Sequence, residues 1–298
     1  MHQPVLLKEV LEYLNPQPNQ NFVDATFGFG GHSKEILKRI RPNGKVLGIE
    51  IDPEIFNEFL KIKEEIIEKE DLKRLVIVNN SYIYLKEIIE EKKFFPVHGV
   101  LFDLGVCSFH LDESERGFSY LRNQKLDMRF NPENPLTAYE IVNFWPLKDL
   151  ERILRDYGEE KFYKRIALAI IKERNKKKIQ TTFELLEILK RVLPKNYDSH
   201  RLHFATRTFQ ALRIATNKEL ENLSLALLDA FEILSKEGKL SVISFHSLED
   251  RVVKNFFKKL KEENKGIILT KKPVRPLKEE VQKNPRCRSA KLRVFQKL

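Results

Sequence analysis

Short runs of apolar residues alternate along this chain with stretches whose apolar positions recur every three to four residues. The runs at 22–25, 45–50, 75–79, 98–104 and 239–245 have the length and composition of buried strands. Between them, 53–70 and 83–92 carry helical periodicity, and Pro53 suits a first helical turn, where its missing N–H costs nothing. A longer helix is predicted over 217–236. Leu220, Leu223, Leu227, Ala230, Phe231 and Leu234 share one face, Thr216 and Glu219 have capping-box spacing, and Gly238 stands ready to end it. This alternation predicts an α/β fold built on a parallel sheet. Near the C-terminus, 267–269 and 292–295 read as an antiparallel pair at the sheet edge.

The interval between the fourth strand and the helix at 217 carries no convincing strand, and a stretch so long reads as an inserted subdomain rather than a loop. Helices are predicted there at 147–156, 159–174, 181–193 and 205–215. The expected organisation is a core formed by 1–106 and 206–298, interrupted by a helical insert over 107–205. No apolar run approaches the roughly 18 residues of a membrane span, and no signal-peptide pattern opens the chain. Cys107 and Cys287 lie far apart, so neither a disulfide framework nor a zinc site is expected, and a reducing cytoplasm fits best. No other His/Cys/carboxylate spacing suggests a metal. The net charge of +11 is uneven: the last 48 residues hold 16 Lys/Arg against 4 Asp/Glu. Such a cluster points to a polyanionic partner, because each neutralised phosphate releases counterions.

The chemistry gathers at Asp24-Ala-Thr-Phe-Gly-Phe-Gly-Gly-His32, where three of the chain's 11 glycines (Gly28, Gly30, Gly31) follow a strand and precede a helix. Glycines at such a turn allow positive φ and close approach of a ligand to the main chain. The next strand ends in Glu50-Ile-Asp52, about twenty residues further on, where a carboxylate can accept ribose hydroxyls. A dinucleotide site prefers Gly-x-Gly-x-x-Gly, and here Ser33 stands at the third glycine's place. Acidic strand ends around a glycine loop suit S-adenosylmethionine instead, a cation with a ribose and no pyrophosphate. Asp103 ends a third strand at the edge where open α/β sheets bind ligands. Tyr82 could stack on an adenine or serve as a core aromatic.

In these and further blocks the chain strongly resembles the RsmH/MraW family of 16S rRNA (cytosine-N4)-methyltransferases. The blocks are His2-Gln-Pro-Val-Leu-Leu-Lys-Glu-Val10, Asp24 to Ser33, Asp103-Leu-Gly-Val-Cys-Ser108, Glu115-Arg-Gly-Phe-Ser119 and Leu126-Asp-Met-Arg129. They continue with Tyr157-Gly-Glu-Glu160, Ala205-Thr-Arg-Thr-Phe-Gln-Ala-Leu-Arg213, Ser244-Phe-His-Ser-Leu-Glu-Asp-Arg251 and Asn284-Pro-Arg-Cys-Arg-Ser-Ala-Lys-Leu-Arg293. The resemblance implies a Rossmann-like S-adenosylmethionine-dependent methyltransferase fold with a helical substrate-recognition insert. It also implies methyl transfer to N4 of one cytidine in the decoding region of 16S rRNA. Carried over by position, the cofactor contacts are Gly30, Gly31, His32, Glu50, Tyr82, Asp103 and His110. Three departures stand out, at Glu50, Cys107 and His110. The family usually has Asp where Glu50 stands, and Ser-Ser-Pro-Gln-Leu-Asp where this chain reads Cys107-Ser-Phe-His-Leu-Asp112.

The exocyclic amine of cytosine is a weak nucleophile, so alignment with the methyl donor should supply much of the rate, helped by an acceptor for an N4 hydrogen. Asp103 is the candidate, beside the backbone carbonyls of Leu104 and Gly105. Arg116, Arg129, Arg207, Arg213, His246, Arg251, Arg286, Arg288, Lys291 and Arg293 are candidates for contacting RNA, each weighed against a structural salt bridge. For His246 the competing reading is local, since Ser247 and Asp250 have capping-box spacing for the helix that follows. The alternatives to an rRNA enzyme are a DNA amino-methyltransferase and a non-catalytic ribosome-assembly factor.

Overall fold

The computed structural model describes residues 4–194, 197 and 203–298; His2 and Gln3 of the first family block lie outside the described residues. Two compact units result, one formed by Met1–Gly105 with Leu220–Leu298, the other by Val106–Glu219. Strands β1 (Phe22–Asp24), β2 (Val46–Glu50), β3 (Leu75–Asn79), β4 (Val97–Asp103), β5 (Leu234–Ser244), β6 (Gly266–Ile268) and β7 (Lys291–Lys297) all belong to the first unit. Among the described residues they form a seven-stranded sheet of order β3-β2-β1-β4-β5-β7-β6. The first five are parallel, whereas β7 runs antiparallel to both β5 and β6. The expected C-terminal pair therefore forms, with β6 outermost and β7 one strand inside the edge.

The strand order reverses between β1 and β4, where open α/β sheets place their ligands beyond the carboxyl ends of the strands. Register puts Asp24 and Asp103 on either side of this point, because Asp24 pairs with Leu101, two residues short of the end of β4. Helices α1 (Leu7–Leu14), α2 (Gly31–Arg39), α3 (Pro53–Ile66), α4 (Lys69–Leu72) and α5 (Leu85–Glu91) precede the second unit in the chain. Asp52 caps α3 by accepting the Glu54 N–H at 2.9 Å, with Pro53 in the first turn as predicted. Val23, Leu47, Val100, Phe102, Leu240 and Val242 are buried in one core cluster, and Phe22, Ile36, Val46, Phe59 and Leu101 in another.

The second unit is helical: α6 (Ser108–Asp112), α7 (Ala138–Phe144), α8 (Leu147–Asp156), α9 (Tyr163–Arg174), α10 (Thr182–Val192) and α11 (Thr206–Asn217). Ile141, Ile153, Ile166, Leu185, Leu189 and Leu212 share its core. Because α11 contributes Phe209, Ala211 and Leu212 to that core, the unit runs to Glu219 instead of stopping at the expected boundary of 205. The predicted cap at Thr216 does not form. Thr216 is still inside α11, and the Glu219 carboxylate takes both Arg213 nitrogens at 2.8 and 2.9 Å. The chain returns to the first unit through α12 (Glu219–Ile233), α13 (Ser247–Glu262) and α14 (Lys278–Lys283). Helix α12 ends at Ile233, and Gly238, expected to stop it, lies within β5.

Candidate active site

Strand β1 spends its last hydrogen bonds on both neighbours: Ala25 N–H donates to Leu101 O at 2.8 Å and Phe27 N–H to Ile49 O at 2.9 Å. The chain then folds back, with Gly28 at φ 56° and Gly30 at φ 72°. Gly30 starts α2 from this left-handed conformation, and a Cβ there would meet Phe27 Cζ at 2.7 Å. At Gly28 the same atom would meet nothing within 4 Å, so open space lies beside the turn.

Three carboxylates stand around this turn at the ends of adjacent or neighbouring strands. Asp24, at the end of β1, is 2 % exposed; its oxygens accept Ser33 Oγ–H at 2.7 Å and Thr26 N–H at 3.3 Å. Burial pushes it up to about 6, against those two hydrogen bonds. Glu50, at the end of β2, accepts Gly28 N–H and Asp52 N–H, each at 2.8 Å, one on each oxygen. It too is pushed up by burial, to about 7, with the Asp52 and Asp24 charges adding to the shift. Each bonded oxygen retains a second lone pair for a ligand hydroxyl.

Asp103 ends β4 and is set differently. Its N–H donates to Thr26 Oγ1 at 2.6 Å, while its Oδ1 is buried and makes no hydrogen bond. Burial, then the charges of Asp24 and Glu249, push its carboxyl well above the usual range. His32 Nδ1 lies 3.8 Å from Asp103 Oδ2, and its Nε2 donates to Val5 O at 3.0 Å. Tyr82 opens a 3-10 turn (Tyr82–Tyr84) after β3, with its ring edge-on to Phe102 at 5.6 Å. It is half-buried against the core, in line with the core-aromatic reading.

His110 belongs to the second unit. Its Nδ1 accepts the Cys107 N–H at 3.1 Å, and its ring lies 4.9 Å from Phe118 and 5.0 Å from Phe130. In this chain the residue in place of the family's Gln lies in the first turn of α6 and completes its capping box, with Cys107 at the N-cap.

The basic candidates divide sharply. Arg116, only 8 % exposed, donates to the carbonyls of Arg129 and Phe130 at 2.9 and 3.0 Å. Arg129 forks onto both oxygens of Asp127 at 2.9 and 2.7 Å and reaches the Asn134 carbonyl at 2.7 Å. Arg207 donates to Glu159 O, and Arg213 is clamped to Glu219. Arg293 binds Asp250 at 2.6 Å, and Lys291 lies 3.4 Å from the same carboxylate. The side chains of Arg116, Arg129, Arg213 and Arg293 are thus engaged within the fold, each bonded to a buried or part-buried carbonyl or carboxylate. Arg251, Arg286 and Arg288 are exposed. His246 caps α13 with Glu249 as its reciprocal partner, one residue earlier than the predicted Ser247–Asp250 pair. The sequence missed Thr26 and Ser33 as supports of Asp103 and Asp24; hydroxyls flanking an acidic strand end are the signal that could have found them.

Five parallel strands whose order reverses beside acidic strand ends and a glycine turn, with an antiparallel pair at one edge, have the architecture of a Rossmann-like methyltransferase. Among the described residues, no helix is long and apolar enough to cross a membrane. The chain belongs to the MraW methylase family, whose model matches residues 1–298. It is 47 % identical over 298 residues to a protein of Sulfurihydrogenibium sp. (strain YO3AOP1) named ribosomal RNA small subunit methyltransferase H, covering 100 % of this chain and 99 % of that one. Proteins of the same name from Caldicellulosiruptor saccharolyticus and Clostridium botulinum (strain Kyoto) are 44 % and 43 % identical, again over 100 % of this chain and 99 % of theirs.

Proposed function

We propose that this chain transfers a methyl group from S-adenosylmethionine to the exocyclic N4 of one cytidine in the decoding region of 16S rRNA. Family membership and full-length similarity to small-subunit rRNA methyltransferases support a methyltransferase acting on that RNA, and a ribosomal substrate fits a cytoplasmic setting. The observation that carries the cofactor is the pair of buried acids Asp24 and Glu50 around a glycine turn, with the part-buried Asp103 beside them and its Oδ1 lacking a partner. Such a set fits a cation bearing ribose hydroxyls; it contains no basic group for a pyrophosphate.

When bound, S-adenosylmethionine supplies an electrophilic methyl group on a sulfonium. Glu50 is placed to accept ribose hydroxyls on its remaining lone pairs, and Gly28, with nothing where a Cβ would stand, keeps the backbone approachable beside Gly30 and Gly31. His32 Nδ1 stands 3.8 Å from Asp103 Oδ2, and Tyr82 packs on Phe102, the neighbour of Asp103 in β4. Asp103 is the residue we assign to accept a hydrogen of the attacking amine, since its carboxylate has an unsatisfied oxygen at the sheet edge. Positioning the weakly nucleophilic amine carries the rest.

Incubation with tritiated cofactor and small-subunit RNA or particles should label the RNA, and digestion with mass spectrometry should find the methyl on cytidine N4. Asp103→Asn should abolish transfer while RNA binding persists. Label in duplex DNA but not in RNA would replace the substrate class, and wild-type biological activity of the Asp103→Asn variant would favour an assembly factor.

A further inference from the structure

His246 follows β5 as the N-cap of α13, and its ring is held by its neighbours. Its Nδ1 accepts the Glu249 N–H at 3.3 Å, so the neutral ring carries its proton on Nε2. Glu249 is fixed in turn, because its Oε2 accepts the amides of Phe245 at 2.8 Å and His246 at 3.4 Å. Nε2 lies 3.1 Å from Glu249 Oε1, yet it is shielded from solvent and makes no hydrogen bond, the carboxylate lying off the N–H direction. The side chain is 9 % exposed. A buried donor without an acceptor is costly and rare, and calls for a partner.

The position suggests which partner. Strands β4 and β5 are adjacent and parallel, with Asp103 opposite Ile243 and Leu104 N–H donating to Ile243 O at 3.0 Å. The chain therefore brings His246 off the sheet on the same edge as Asp103, and the Glu249 charge is felt at the Asp103 carboxyl. A cytosine offers its exocyclic amine as a donor beside two acceptors, N3 and O2, along one edge. With the amine directed at Asp103, those acceptors face sideways along the sheet edge. We infer that His246, through its Nε2–H, reads the acceptor edge of the target cytosine and orients the amine for transfer. The inference rests on the function proposed above. It also supplies a reason for excluding uracil, whose N3–H would meet the imidazole N–H donor to donor.

Asn and Gln separate this role from the cap. Asn is a strong N-cap residue and keeps the acceptor for the Glu249 amide, but it has no donor where Nε2 stands. His246→Asn should leave the thermal midpoint within about 2 °C and the cofactor dissociation constant within about twofold, while kcat/KM on small-subunit RNA falls roughly tenfold or more. His246→Gln, whose amide reaches the Nε2 position, should recover part of that loss despite a poorer cap. An Asn variant with wild-type kcat/KM overturns the inference, as does a Gln variant slower than the Asn one, which would leave only the cap. Wild-type protein that methylates no small-subunit RNA in the same assay overturns the underlying function, and this inference with it.

Discussion

Glu50 is legible in the sequence as an acid at a strand end, but its hydrogen bonds are not. Both its oxygens accept backbone N–H groups, from Gly28 and Asp52, so the residue builds the glycine turn as well as facing a ligand. Burial nevertheless wins over those bonds and carries Glu50 to about 7 and Asp24 to about 6. The sign of the consequence follows. With folded values above the unfolded 4.5 and 3.8, the native state binds more protons than the unfolded chain between about pH 4 and 7, so stability falls as pH rises through that window. Glu50 alone accounts for a loss on the order of 3 kcal/mol. The thermal midpoint of cofactor-free protein should therefore drop between pH 5 and about 7.5, as followed by calorimetry. A cationic ligand reverses the preference, because it favours the ionised acids. Cofactor affinity should rise from about pH 6 to pH 8 with release of protons, seen as a dependence of binding heat on buffer ionisation enthalpy. In Glu50→Gln one amide N–H₂ must face a backbone N–H, so affinity at pH 8 should fall at least about tenfold and the pH slope should flatten. A slope as steep as that of the wild type would assign the protons elsewhere.

At the scale of elements, the strands and long helices were readable because apolar periodicity is a property of many residues at once. The caps were not, because each rests on one side chain. Helix α13 is the clearest case: Ser247 and Asp250 satisfy the spacing rule, but the structure uses His246 and Glu249, since an imidazole nitrogen accepts an N–H as a hydroxyl does. At Thr216 the spacing rule fails outright: Thr216 lies inside α11, and Glu219 is held by Arg213. The short helices α6 and α7 carry too few residues for periodicity to show. The glycine turn, in contrast, is legible from three clustered glycines between a strand run and a helical pattern, and its geometry explains why it admits no side chain at Gly30. A methyl there meets Phe27, which is confined by Phe59 at 4.7 Å and by the bare face of Gly48, where a Cβ would meet Phe27 Cδ2 at 2.3 Å. The ring cannot retreat. Gly30→Ala, strained at positive φ as well, should cost roughly 1–3 kcal/mol and lower the thermal midpoint, with cofactor binding weakened in parallel. For comparison, Thr181→Ala removes the capping box at the start of α10 and should cost about 1 kcal/mol while leaving cofactor affinity unchanged.

Over the whole molecule, net charge was the most direct pointer to a polyanion, yet it could not say which cations are available. Arg116, Arg129, Arg213 and Arg293 share the composition of a binding surface but are bonded within the fold; Arg251, Arg286 and Arg288 are exposed side chains, where any surface contact contributes little to stability. Asp250 illustrates the difference: burial raises its carboxyl, but the hydrogen bond and charge of Arg293, with Lys291 beside it, outweigh burial and leave it below the usual range. A carboxylate so held keeps its cations for the structure. The division makes opposite predictions for two double variants. Arg286→Ala with Arg288→Ala changes exposed side chains on the 3-10 turn Pro285–Ser289 and should leave the thermal midpoint in place. It should weaken binding to small-subunit RNA and reduce the slope of log affinity on log salt by about 1.4, at roughly 0.7 per lost contact to single-stranded phosphate. Arg116→Ala with Arg129→Ala removes donors from part-buried carbonyls and a carboxylate, so it should instead unfold the helical unit at lower temperature. Measured in the folded range, the second variant should keep the wild-type salt slope; a reduced slope there would return those arginines to the RNA surface.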